Sequence, residues 1–232
     1  MQAIMIPNIK DMARYSVTAR LTDSLPLPTT ATPEMYLAFA RADLHRPYRR
    51  NRINAVSNAK RGLHLHVDVL AEALGLLVLP KKDRHNFPQK LDFLSRCGVV
   101  TPAILQRLNL LRNSVEHDYT IPDFRQAQDF LDVVELFLRS SGILRTSFPR
   151  QTHFSLRHQD RPGSLPLSLG VRVSLGTAEI WFFPSKSGKR DSMKIMTYAP
   201  DDANSAWENT EGLSVASGNV YYDWVSLLMS GI

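Results

Sequence analysis

The chain has 232 residues, 44% of them hydrophobic and 22% charged, which excludes a wholly disordered polymer and allows one large domain or two small ones. Lys and Arg outnumber Asp and Glu by 28 to 22, a net charge of +6 and a mild lean toward anionic partners, chiefly nucleic acid. The single cysteine, Cys97, can form neither an internal disulfide nor a Cys-rich zinc site, so a reducing, cytoplasmic location is the default. No run of about 18 apolar residues is present, so no membrane-spanning helix is expected. The opening MQAIMIPNIKDMARY has no apolar stretch of signal-peptide length, and no leader is expected.

Residues 1–33 read as an irregular arm. Pro7, Pro26, Pro28 and Pro33 make it a poor helix or central strand, with a short strand allowed at Ala3–Ile6. From Glu34 the text turns helical. EMYLAFARADL is a short helix ending before Arg46-Pro47. Ile53, Val56, Leu63, Val67, Leu70, Leu74 and Leu77 then step by threes and fours, which predicts one helix over about 50–78, stopped by Pro80. Gln89–Cys97 is a further helix, with Gly98 as its C′ residue. Thr101-Pro102 reads as an N-cap and N1 pair, followed by a stripe of Ile104, Leu108, Leu111 and Val115. Phe124, Ala127, Leu131, Val134 and Leu138 line the next helix, ending near Ser140-Ser141-Gly142. Residues 34–142 therefore read as an antiparallel bundle of four main helices.

Past Gly142 the period changes to two. Leu167, Leu169, Val171, Val173 and Leu175 alternate as in a half-buried strand. A turn at Gly176-Thr177, then AEIWFF and MKIMTY, give two more strands, and THFSLRH (152–158) a fourth. VYYDWVSLLM fits strand or helix. Residues 146–232 thus read as a small, mostly antiparallel β domain, and the fold class as α+β. Its tryptophans and tyrosines read as core rather than as a ligand box.

The chain has no P-loop, dinucleotide-binding, H-E-x-x-H or G-x-S-x-G motif. His64 and His66 would point roughly 200° apart on a helix. They read as one surface and one interface histidine, and no metal or cofactor is expected. His153, His158 and Asp160 read as structural. The informative stretch is LNLLRNSVEHDYTIPDF, residues 108–124, where Arg112, Asn113, Glu116, His117, Asp118 and Tyr119 crowd one helix end. Leu108, Leu111 and Val115 already supply that helix's core.

Arg112 and His117 lie about 140° apart on an ideal helix. To meet on one phosphate, either the helix end deviates or two copies face each other. Histidine beside arginine suits metal-free RNA cleavage: the 2′-hydroxyl attacks the adjacent phosphate, His117 moves a proton, and Arg112 neutralises the five-coordinate phosphorus. Asn113 could orient the phosphate or the imidazole. A structural reading stands beside this one. Arg112 and Glu116 form an i,i+4 pair worth about 0.2–0.5 kcal/mol, and His117 could simply meet the helix C-terminal dipole.

The segment Arg112-Asn113-Ser114-Val115-Glu116-His117 resembles the R-x(4–6)-H signature of the HEPN superfamily (higher eukaryotes and prokaryotes nucleotide-binding), with Asn directly after the arginine. The context over residues 34–142 is similar too: a long early helix, the motif late in the bundle, and a final amphipathic helix. The resemblance implies a four- to five-helix bundle acting as a homodimer, and a metal-independent endoribonuclease of a toxin–antitoxin, antiviral or stress system. Arg112 and His117 would be catalytic and Asn113 supportive, with an antitoxin or regulatory protein as a further partner. It equally admits an inactive module that binds RNA, a nucleotide or a protein.

RNA is also suggested by the residues from Arg41 to Arg61. Arg41, Arg46, Arg49, Arg50, Arg52, Lys60 and Arg61 face one acid, Asp43. Tyr48 is interleaved and could stack on a base. Arg46, Tyr48, Arg49, Arg50 and Arg52 are therefore the candidate RNA contacts, and a solvated helix start is the alternative.

Overall fold

The computed structural model describes residues 6–28, 30–79, 86–100, 103, 121–157, 165–183, 194–199 and 213–230, with only the backbone path over 194–199 and 213–218. The first helix, α1 (Pro33–Leu44), starts where the sequence asks: Thr32 is extended, its hydroxyl accepts the Met35 N–H at 3.1 Å, and Pro33 occupies the first turn. The long helix α2 (Arg49–Ala73) buries Val56, Leu63, Val67 and Leu70 along the predicted seam. It ends earlier than the expected 78, because Gly75 turns left-handed (φ +86°) and a short 3-10 turn follows over Leu76–Val78. Gly75 is needed there. A Cβ on it would lie 2.2 Å from the Ala178 backbone nitrogen.

Helix α3 (Phe87–Arg96) opens on a capping box between Asn86 and Gln89 and closes at Cys97, with Gly98 at φ +78°. The expected helix after Thr101-Pro102 lies outside the described residues, apart from position 103, which is helical. Helix α4 (Phe124–Thr146) opens on the Asp123–Gln126 capping box. It runs through the Ser140-Ser141-Gly142 stop read from the sequence. Both serine hydroxyls donate back to the Phe137 carbonyl, at 3.0 and 2.7 Å, so they stay within the helical turn instead of breaking it.

The strands are β1 (Tyr15–Asp23), β2 (Phe148–Leu156), β3 (Ser168–Ser174), β4 (Glu179–Phe183), β5 (Lys194–Ala199) and β6 (Leu213–Ser217). They form one sheet in that order, antiparallel except for the parallel β5–β6 pair. The irregular arm is corrected here. Residues 9–14 form a 3-10 turn, and Tyr15–Asp23 is an edge strand on β2. Pairing with a distant strand supplies the order that its proline-flanked local sequence does not. Positions 3–5 of the expected Ala3–Ile6 strand lie outside the described residues. The ambiguous C-terminal run is a helix, α5 (Gly218–Met229). The architecture is mixed α+β, with N-terminal helices followed by a small, mostly antiparallel sheet.

Helices and sheet share one hydrophobic core that includes Leu70, Leu94, Phe137, Phe154, Val171, Phe182 and Trp224. The end of α2 is fastened to the sheet side through carbonyls that a helix C-terminus leaves unpaired. The Gly176 N–H donates to Ala73 O at 3.0 Å, and the Tyr221 hydroxyl donates to Leu74 O at 2.8 Å. Trp224 and Tyr221 are core, as expected, whereas Trp181 stands on the opposite sheet face and is partly exposed. Trp207 lies outside the described residues.

Candidate nucleic-acid interface

Helix α2 begins against the usual chemistry of helix N-termini. Its N-cap, Tyr48, makes no side-chain cap hydrogen bond, and the first turn holds no acid. Arg49, Arg50 and Arg52 stand there instead, where each cation forgoes the roughly 0.3–1 kcal/mol that an acid would gain from the dipole. Arg46, Tyr48, Arg49 and Arg50 are exposed, and Arg52 is half-buried. The Arg50 guanidinium lies 5.6 Å from the Tyr48 ring centroid. The expected contacts are thus together on one connection and one helix start.

The acid nearest in sequence does not neutralise them. Asp43 Oδ1 accepts from Asn51 Nδ2 at 3.3 Å, and its Oδ2 from Asn58 Nδ2 at 3.1 Å. Among the described residues no ion pair engages Arg46, Arg49, Arg50 or Arg52. The result is a patch of guanidinium charge with no carboxylate partner among the described residues, suited to a phosphate backbone.

Arg112, Asn113 and His117 lie outside the described residues, between α3 and α4 in the chain. So do His158 and Asp160. Of the other histidines named above, His153 is on β2 with its ring nitrogen 2.7 Å from Gln151 Nε2. His64 is half-buried and stacks on Phe87 with centroids 4.2 Å apart, so it is not a plain surface group.

His66 is the interface histidine. It is fully buried between α2 and α4, with Nε2 2.8 Å from Ser141 Oγ. Ser141 spends its proton on Phe137 O, which assigns the Nε2–H tautomer to His66. Burial pushes the imidazole pKa down to about 4, helped by Arg145 and opposed by Glu34. Burial likewise pushes the Cys97 thiol well up, which keeps it protonated and unreactive.

The sequence did not reveal a second polar cluster, which lines a groove of about 750 Å³ between α1 and α4. Glu135 pairs with Arg41 across the helices and with Arg139 along its own helix at 2.6 Å. Glu34 pairs with Arg145 at 2.5 Å. Desolvation works against the Glu34 charge, but its own backbone N–H and Arg145 outweigh this and lower its pKa. Only the i,i+4 spacing of Glu135 and Arg139 was visible in the sequence; the cross-helix pairs depend on packing.

Among the described residues no three His, Cys, Asp or Glu side chains gather to hold a metal ion, and no helix is long and apolar enough to cross a membrane. No family model matches the chain, and neither a curated protein nor a solved structure matches it.

Proposed function

We propose that the chain is an RNA-directed protein whose activity is metal-independent endonucleolytic cleavage. The observation that carries the reading is the patch of Arg46, Arg49, Arg50 and Arg52, unpaired among the described residues at the head of α2. It holds the phosphate backbone, with Tyr48 available to a base. Cleavage is assigned to Arg112, Asn113 and His117 on the sequence signature and its HEPN-like context. The 2′-hydroxyl attacks the adjacent phosphorus, and the 5′-oxygen leaves. His117 transfers the proton, Arg112 stabilises the charge on the phosphorane, and Asn113 orients the phosphate or the imidazole. The roughly 140° separation of Arg112 and His117 on a helix favours a composite site in a homodimer. The biological role that fits is a toxin or an antiphage or stress effector, held by an antitoxin or regulatory partner.

Purified protein should cut mixed RNA in EDTA and leave 2′,3′-cyclic phosphate ends. A strict need for Mg²⁺ would contradict the mechanism. The same arginine patch also favours a second reading, an inactive RNA-binding module, because holding phosphate needs no cleavage. That reading predicts salt-sensitive RNA retention and no product.

A further inference from the structure

The two faces of the sheet differ. The inner face carries Phe154, Val171, Val173, Ile180 and Phe182, all buried in the core. The outer face alternates with it, and strand register sets its side chains in two rows. One row runs His153, Gly170, Phe183, and the other Gln151, Arg172, Trp181. His153, Arg172 and Trp181 are partly open to solvent.

These groups hold one another in place. Gly170 leaves room for the Phe183 ring, since a Cβ there would lie 2.2 Å from Phe183 Cε2. His153 meets that ring edge-on, with centroids 5.8 Å apart and planes at 82°. The Arg172 guanidinium lies 5.7 Å from the ring centroid and donates twice to Gln151 Oε1, at 3.1 and 2.9 Å. The same Gln151 contacts His153 at 2.7 Å. Trp181, partly exposed, donates its indole N–H to Glu179 at 3.1 Å, which fixes the ring from its edge. Among the described residues of this face, two guanidiniums, Arg172 and Arg157 just past the end of β2, stand against the carboxylate of Glu179, which is already engaged with Trp181.

We propose that this outer face, with Trp181, His153 and Arg172 partly open around the buried Phe183 ring, is a stacking platform for the unpaired bases of single-stranded RNA. Flat rings and a guanidinium plane, preorganised on a partly exposed sheet face, accept any base by its π-face, each stacked base tightening binding roughly 5- to 150-fold. Gln151 has little capacity left for base edges, so recognition is by stacking and charge rather than by sequence. The choice of RNA as ligand rests on the RNA-directed reading above; the platform itself does not depend on cleavage.

The test uses the full chain carrying His117→Ala, so that RNA stays intact. Its probes are a fluorescein-labelled 12-nucleotide oligo-U and a 12-base-pair RNA duplex. In that background Trp181→Leu should weaken oligo-U binding about 10-fold or more. Arg172→Gln should weaken it several-fold, and Trp181→Phe should stay within about 3-fold, all at unchanged Tm. Photo-cross-linking of 5-iodouridine RNA to the His117→Ala chain itself, which needs no substitution in the sheet, should mark residues 151–157 or 179–183. Failure of oligo-U to bind, equal affinity for the duplex, or cross-links confined to residues 46–52 would overturn the platform. So would unchanged affinity in folded Trp181→Leu. Loss of the ribonuclease reading is separate: it follows from absent cleavage in EDTA by the chain that retains His117, whatever the sheet binds.

Discussion

Two groups of arginines sit on the same helical layer and are used in opposite ways. Arg41, Arg139 and Arg145 each meet a glutamate, so the charges lining the groove between α1 and α4 are balanced within the fold. Arg46, Arg49, Arg50 and Arg52, beginning only five residues past Arg41, have no such partner among the described residues, and Asp43 is taken by two asparagines. Residue type is the same in the two groups. What separates the two groups is whether the fold supplies a carboxylate among the described residues.

The largest effect that sharpens this contrast lies behind the paired group. His66 is neutral and buried beside the Arg145–Glu34 pair, with a folded pKa of about 4 against an ordinary 6.5. The unfolded chain takes up the proton first as pH falls. Stability is therefore full above pH 6.5 and declines toward pH 4, by on the order of 3 kcal/mol. Denaturant melts from pH 7.5 to 4 should show the decline, and His66→Gln should flatten this part of it. An equal decline in the variant would show that other groups cause it.

Removing the unpaired group should have the opposite signature. The combined change Arg46→Ala, Arg49→Ala, Arg50→Ala and Arg52→Ala should weaken RNA binding about 100-fold at moderate salt. It should also flatten the log K against log salt slope by about 3, with Tm unchanged. Glu135→Ala should do the reverse. It should cost no more than about 0.5–1 kcal/mol, because the Arg41 and Arg139 guanidiniums it releases are about half or more exposed and rehydrate, and it should leave RNA affinity alone. The smallest effect separates the two roles within one residue. Arg49→Glu should stabilise α2 by about 0.3–1 kcal/mol while weakening RNA binding. A variant that loses both stability and RNA binding would place Arg49 in the scaffold.

The sequence showed elements wherever local period is strong. The seam of α2 and the alternation of β3 are both in the text, because each buries one regular face. It missed β1 because Tyr15–Asp23 is an edge strand that is mostly exposed, so burial leaves little alternation to read. It stopped α4 early because Ser-Ser-Gly looks like a break until the hydroxyls are seen bonding back to Phe137. The basic run at the head of α2 was legible as composition. Its lack of counter-charge was not, since that depends on Asn51 and Asn58 reaching Asp43 across a turn. The sheet face around Trp181 was read as core because the sequence does not say which side of a sheet the helices cover.

The most direct measurement of the central claim is a cleavage time course on labelled RNA in EDTA, with three proteins of matched Tm: the parent, His117→Ala and the four-arginine variant. The account predicts cleavage by the parent. It predicts RNA bound but cut about 10²–10⁴-fold more slowly by His117→Ala, and a raised KM with kcat largely kept in the arginine variant. Cleavage by His117→Ala at the parent's rate would contradict it.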